Sequence, residues 1–313
     1  MLRASVCIAW TALAACSGPS APELGASRAE VQYGPTDDRI EVFQASGVHR
    51  AIAESAIAMQ MGASWIDDSD PSDVRITYRR TLAEAHDLCP GVAFADQIEP
   101  GTCSGTLIDA RHVLTAGHCV NPASDCGADD PWVFGFYYES QGVLRTLASD
   151  DVYACARIVA FRDDATSDYA VIELDRDVVG HMPARVRRDP SPAPRGTTVT
   201  LIGHPNGMPM KLAGNATIRA SGALELVADV DAFSGNSGSG VFDGAGELVG
   251  VLVSGNDDWE DAGGCNEIAV IDPVPGGEGE NLTTVRVAID AFCATGVRSA
   301  VCMAPVDAGA TAD

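Results

Sequence analysis

The chain has 313 residues, 46% of them hydrophobic, enough for a two-part fold with its own core plus tails. Its 44 acidic and 20 basic residues give a formal net charge of -24. Such a surface repels phosphate backbones and anionic membrane faces, so nucleic acid is not an expected partner.

Residues 1–16 read as an export signal. Arg3 supplies a basic start, and the apolar run from Val6 to Ala15 is too short to span a bilayer. The run ends in Leu13-Ala14-Ala15-Cys16, which looks like a bacterial lipobox and predicts a lipid on Cys16. Such an anchor would be the chain's contact with a membrane. The alternative is an ordinary cleaved signal with an incidental cysteine. Either way the chain is expected to be exported, as a secreted protein or as a surface or periplasmic lipoprotein. Residues 17–30 are rich in Ala, Ser, Pro and Gly and read as a linker.

Beyond the signal stand eight cysteines: Cys89, Cys103, Cys119, Cys126, Cys155, Cys265, Cys293 and Cys302. An even number in an exported chain favours disulfides. No CxxC pair is present, and the acid pairs Asp67-Asp68, Asp150-Asp151, Asp163-Asp164 and Asp257-Asp258 follow no calcium-loop spacing. No metal or cofactor is expected.

Residues 31–88 are expected to form an N-terminal extension, or propeptide-like segment, with a first strand. The run Ala51 to Met61 suits a short helix or a strand, Val74 to Tyr78 a strand, and Thr81 to Leu88 a helix. From Cys103 the pattern is β. Thr106 to Ile108 and Val113 to Thr115 flank a turn at Asp109-Ala110, a hairpin signal. Trp132 to Tyr138, Ala156 to Phe161 and Tyr169 to Leu174 continue the strands. Residues 187–196 are proline-rich and suit an exposed connector between two halves. Strands resume at Thr197 to Gly203, Leu224 to Val230, Val241-Phe242 and Leu248 to Val253. Val285, Ala288, Ile289 and Phe292 recur at helical spacing, and residues 303–313 read as a disordered tail. Many short strands with one terminal helix point to β-barrels.

The segment Phe233-Ser234-Gly235-Asn236-Ser237-Gly238-Ser239-Gly240 places a serine among glycines between two strand runs. Alone it reads as a tight turn. A serine hydroxyl becomes a useful nucleophile only with a base and with N–H donors for the developing oxyanion. Of six histidines, His118 has a distinctive setting: it follows a strand end in Leu114-Thr115-Ala116-Gly117-His118-Cys119. Joining Cys103 to Cys119 would stabilise the fold by about 3 kcal/mol and pin the backbone beside that imidazole. Asp168 shares strand parity with Ala170, Ile172 and Leu174, so its carboxylate falls on an apolar face and needs a partner. A histidine N–H would serve.

Together, Cys103-Ser104-Gly105-Thr106-Leu107-Ile108, Leu114 to Cys119, Asp168 to Leu174 and Gly235 to Ser239 resemble the chymotrypsin-like serine proteases, bacterial branch, which includes glutamyl endopeptidases. The resemblance covers roughly residues 89–293. The order His, Asp, Ser matches that family, whereas the α/β-hydrolases run Ser, acid, His. It implies an all-β fold of two six-stranded antiparallel β-barrels with a cleft between them and a C-terminal helix. The first barrel would span 89–186, the connector 187–196, the second barrel with the helix 197–293, and the tail 294–313.

The resemblance further implies His118 as general base, Asp168 as its orienter and Ser237 as nucleophile, with an oxyanion hole from the N–H groups of Gly235 and Ser237. Substrates would be proteins or peptides. The implied pocket for the substrate side chain involves Asp231, Ser254 and Gly255. An acid at Asp231 would favour Arg or Lys, or could equally make structural hydrogen bonds that support the serine loop. Glutamyl endopeptidases place a histidine on the strand containing Val251 to Val253, which is absent here, so glutamate specificity is disfavoured. Asn236 stands where animal members carry an activating aspartate. Val31 to Arg39 weakly resembles the mature start of the bacterial branch, making cleavage after Glu30 conceivable. Cys126 with Cys155 is a further expected pair; Cys89, Cys265, Cys293 and Cys302 are left unassigned. The competing readings are a non-catalytic binding protein on the same fold and a structural surface lipoprotein.

Overall fold

The computed structural model describes residues 31–120, 122, 126, 129–272 and 279–303. The expected signal and linker, Cys16 among them, lie outside these residues, as does most of the expected tail. No helix among the described residues is long and apolar enough to cross a membrane.

Two large β-sheets dominate the described residues, with four two-stranded ones beside them. The first has seven strands in the spatial order Val152–Tyr153, Trp132–Phe134, Ile57–Met61, Gly101–Leu107, His112–Thr115, Ser167–Leu174 and Cys155–Asp164. The second contains a closed ring of six: Glu247–Ser254, Gly240–Asp243, Thr198–Gly203, Lys211–Ser221, Glu225–Ala228 and Glu280–Thr284, the last pairing back onto the first. Closure removes the open edges that would otherwise need covering. The architecture is mostly β, with a six-stranded barrel in the second half and a curled half-barrel in the first. Two short pairings are parallel rather than antiparallel: Gln32–Tyr33 on Val270–Ile271, and Arg185–Val186 on Glu247–Leu248.

Strand periodicity explains how the layers stick. In Thr198–Gly203, Val199 and Leu201 point into the barrel, whereas Ile202 joins a larger cluster between the two halves. In Ser167–Leu174, Ala170, Ile172 and Leu174 fill the first sheet's core while Tyr169 and Val171 face the seam. That seam gathers Ile57, Leu114, Val171, Phe242 and Val251, capped by Val285, Ala288, Ile289 and Phe292 of the helix Val285–Ala294. The helix forms where the 3.6-residue spacing predicts it, and its apolar stripe covers the junction.

Several expectations are adjusted. The run Ala51 to Met61 is both helix and strand: helix Gly47–Ser55 ends one residue before strand Ile57–Met61. That strand lies in the middle of the first sheet, between Trp132–Phe134 and Gly101–Leu107. The first β-unit therefore draws on residues well before 89, and 31–88 is integral to the fold rather than a detachable extension. The expected strand Trp132 to Tyr138 breaks at Gly135, whose φ of 76° belongs to the left-handed region. Residues 187–196 are mostly exposed, as expected of the connector, but are tied to the second sheet at both ends: Arg187 N–H donates to Leu248 O, Gly196 N–H to Ile218 O, and Ala193 is buried.

Four disulfides cross-link the chain: Cys89–Cys265, Cys103–Cys119, Cys126–Cys155 and Cys293–Cys302. Cys103–Cys119 and Cys126–Cys155 are the pairs expected. Cys89–Cys265 spans 176 residues and ties the segment after helix Leu82–His86 to the hairpin Trp259–Asp261/Asn266–Ile268. Long loops lose the most chain entropy on cross-linking. The double substitution Cys89→Ala/Cys265→Ala is expected to lower stability by about 2–4 kcal/mol in urea unfolding. An unchanged midpoint would mean that packing alone already holds these segments.

Candidate active site

The turn Gly117–Cys119 follows directly on the strand His112–Thr115. The Asp168 carboxylate takes three N–H groups from it. Oδ1 accepts from the Gly117 and His118 backbone, the latter at 3.1 Å, and Oδ2 faces His118 Nδ1 at 2.6 Å. A carboxylate only accepts, so the proton sits on Nδ1 and Nε2 keeps its lone pair. The His118 side chain is 6% exposed and that of Asp168 18%. The aspartate is itself held from the second sheet. Thr283 donates its hydroxyl to Asp168 O at 2.6 Å, and the Asp168 N–H reaches Thr283 Oγ1 at 3.3 Å.

Ser237 lies on the loop before strand Gly240–Asp243 and is 5% exposed. Its loop is wound by its own main chain: Asn236 N–H donates to Phe233 O, and Ser239 N–H to Asn236 O. Gly238 N–H donates to Leu252 O, and Leu252 N–H to Ser239 O. Gly235 and Gly238 have φ of 87° and 86°. A Cβ at Gly238 would strike Ser104 O and Thr115 Oγ1, so glycine is required both for torsion and for closeness. Among the described residues, the Gly235 and Ser237 N–H groups donate to no protein acceptor. Two such donors beside a serine hydroxyl can receive a developing negative charge.

The serine loop meets the first sheet and the His118 turn through its carbonyls. Ser104 N–H donates to Ser237 O at 2.8 Å, and the Cys119 sulfur lies 3.6 Å from the same oxygen. Ser104 Oγ donates to Gly235 O and accepts the His204 N–H, both at 2.9 Å. One buried residue thus fixes the carbonyls of both Gly235 and Ser237. Sequence reasoning quoted Ser104 only as part of a motif and missed this role. It also missed Thr283, because the polar segment Glu280–Thr284 does not read as a strand.

Of the expected pocket residues, Ser254 accepts from Asn281 Nδ2 at 3.2 Å on the strand next to the serine loop, with Gly255 following. Asp231 makes structural hydrogen bonds, the second of its two expected roles. Its Oδ1 accepts the Tyr33 N–H and its Oδ2 the Asp38 N–H, each at 2.7 Å. Both oxygens are occupied by the segment 31–39, which Ala232 N–H also binds through Val31 O. Burial pushes the Asp231 carboxyl up to about 6, against those two hydrogen bonds. Asp231 therefore anchors the N-terminal segment to the base of the serine loop. Arg39 completes that anchor: it pairs with Asp37 at 2.7 Å and lies over the Phe233 ring at 3.8 Å.

The described His, Cys, Asp and Glu side chains converge closely enough for a metal at Cys103, His118 and Cys119. Those two sulfurs are joined to each other, so they offer no thiolate.

His204 lies behind the same loop. It is fully buried, with Nδ1–H donating to Met208 O at 2.9 Å and Nε2 unpartnered. Burial holds its pKa down at about 3. An unfolded histidine titrates near 6.5, so the unfolded chain gains the proton first as pH falls. The stability contribution is complete above about 6.5 and is lost progressively toward 3, on the order of 5 kcal/mol in all. In urea unfolding at stepped pH, His204→Asn, whose amide can replace the Nδ1–H donor, is expected to flatten this acid arm. Parallel curves for both proteins would rule out the effect.

A trypsin-like peptidase domain family model matches residues 103–251. Comparison with curated proteins finds no match. Among solved structures, a Glu endopeptidase is similar at 18% identity, covering 83% of this chain and 97% of that one, with a TM-score of 0.49. The Rv3671c protease of M. tuberculosis in its inactive form is similar at 15% identity, covering 80% of this chain and 93% of that one, with a TM-score of 0.44. Residues 103–251 of the chain are thus similar to the trypsin-like peptidase domain.

Proposed function

We propose that the chain is an exported serine endopeptidase with His118, Asp168 and Ser237 as its triad. The observation that carries the reading is the clamp on His118. A carboxylate that takes Nδ1–H and two backbone N–H groups leaves Nε2 unengaged by it, and Cys119, next in the chain to His118, packs its sulfur against Ser237 O.

In this reading Ser237 Oγ attacks the peptide carbonyl carbon while its proton passes to His118 Nε2. Asp168 stabilises the resulting imidazolium. The carbonyl oxygen, now an anion, is received by the N–H groups of Gly235 and Ser237. The C–N bond breaks as His118 returns its proton to the leaving amine, giving an acyl-enzyme. Water then attacks, losing a proton to His118, and the acid product leaves with Ser237 restored. Four disulfides suit the oxidising compartment that export would provide. Acylation of Cys16 would retain the protein at a membrane surface.

A fluorophosphonate probe is expected to label the folded protein and to fail on Ser237→Ala. No labelling of folded wild-type protein would sink the reading. Asp168→Asn is expected to keep the fold and to lower kcat on the order of 10⁴-fold, because the wrong tautomer of His118 is then favoured. Near-normal turnover in that variant would remove Asp168 from the mechanism.

A further inference from the structure

The carbonyls of the serine loop decide where its two unengaged N–H groups point. In a trans peptide unit the C=O and the N–H face opposite sides. Four consecutive units run from Ser234 to Gly238, and each carbonyl in them is held. Ser234 O accepts the Asn206 N–H, Gly235 O the Ser104 hydroxyl, Asn236 O the Ser239 N–H, and Ser237 O the Ser104 N–H. In the second and fourth units the N–H is held as well, by Phe233 O and Leu252 O. In the first and third units the N–H groups are those of Gly235 and Ser237, which donate to no acceptor among the described residues. The direction of the Gly235 N–H is therefore set by what holds Ser234 O, and that is the main chain of Asn206.

Asn206 sits in a tight turn, 204–208, between the strands Thr198–Gly203 and Lys211–Ser221. The turn closes on itself: Gly207 N–H donates to His204 O, Met208 N–H to Pro205 O, and His204 Nδ1–H to Met208 O, each at 2.9 Å. Asn206 has φ of 50°, in the left-handed region that asparagine enters more readily than most residues. The turn is wedged between the two halves. A Cβ at Gly207 would strike Gly101 O of the first sheet, and a Cβ at Gly235 would strike Gly207 N.

One side chain ties these pieces together. Ser104 lies on the strand Gly101–Leu107 and is completely buried. A hydroxyl has one proton to give and lone pairs to accept with. Ser104 Oγ gives its proton to Gly235 O and accepts the His204 N–H at the start of the turn. Without the hydroxyl, the main chain of Ser104 would still hold Ser237 O and accept from Thr115 Oγ1. Only the link between the turn and the Gly235 carbonyl would be lost.

We propose that Ser104 is a positioning residue for the oxyanion site: its hydroxyl holds the turn 204–208 against the serine loop, so that the Asn206 N–H keeps Ser234 O, and with it the Gly235 N–H, in place. This rests on the peptidase reading above. The test uses the full chain with its disulfides intact and two probes, p-nitrophenyl butyrate and its thionoester, in which sulfur replaces the carbonyl oxygen. With either probe the bond to p-nitrophenolate breaks as the Ser237 Oγ–acyl bond forms, the serine proton passing to His118. Sulfur is the poorer hydrogen-bond acceptor, so the thionoester gains less from the oxyanion N–H groups. In Ser104→Ala the oxygen-to-sulfur ratio of acylation rates is expected to fall about tenfold or more, part of the roughly 10²–10³ that loss of a whole donor costs, with the thionoester rate nearly kept. Should that variant fail to fold, Ser104→Cys, which fills the space with a weaker donor, is expected to show the same fall. An unchanged ratio in a folded variant, or an equal loss on both probes, overturns this inference and leaves the peptidase reading standing. Failure of both variants to fold also overturns it, because the hydroxyl would then hold the fold rather than the site. No acylation of folded wild-type protein overturns both.

Discussion

Everything in the site depends on how the Asp168 carboxylate is held. It is an anion near the junction of two sheets, and a bare charge there would be costly. Three N–H groups from the turn Gly117–Cys119 satisfy it, and Thr283 from the second sheet holds its main chain. The arrangement works in both directions. The turn orders the acid, and the acid fixes the tautomer and orientation of His118. Because Thr283 belongs to the closed barrel and His118 to the curled sheet, the pair keeps its geometry only while the seam between the halves stays packed.

The serine loop is built on the opposite principle. It has few side-chain anchors and many backbone ones, with two glycines in the left-handed region that let the chain run against Ser104 and Thr115. Ser104 joins the first sheet to this loop through the carbonyls of Gly235 and Ser237. Holding those carbonyls fixes the path of the loop, so that the Gly235 and Ser237 N–H groups, which donate to no acceptor among the described residues, can meet a developing charge without reorganising. From below, Asp231 and the segment 31–39 brace the same loop. The N-terminal segment is therefore part of the site's support rather than an appendage.

Much of this was legible in the sequence, for physical reasons. His118 stood out because a strand end and a cysteine flank it, Asp168 because its parity put a charge on an apolar face, and Ser237 because its glycines imply unusual torsions. Local signals of that kind survive without the fold. What failed to show depended on distance or on broken patterns. The eleven-residue strand Lys211–Ser221 is interrupted by a bulge at Gly214-Asn215, where Asn215 has φ of 59°, so no clean alternation appears. The strand Glu280–Thr284 carries four polar residues and one leucine although all but Asn281 are buried, so no alternation marks it. The partners of Asp231 lie 198 and 193 residues away in sequence, so the choice between its two expected roles could not be read from its neighbours. The first sheet's central strand lay hidden in a run that suits helix and strand equally, since it contains one of each.

The central claim is that Ser237, and no other hydroxyl, becomes covalently acylated. The direct measurement is intact-mass analysis and peptide mapping after brief exposure of the folded protein to an activated ester, quenched in acid to trap the intermediate. The account predicts one acyl group per chain, carried by the peptide containing Ser237 and released on return to neutral pH. A stable adduct elsewhere, or no adduct on protein shown to be folded, would contradict it.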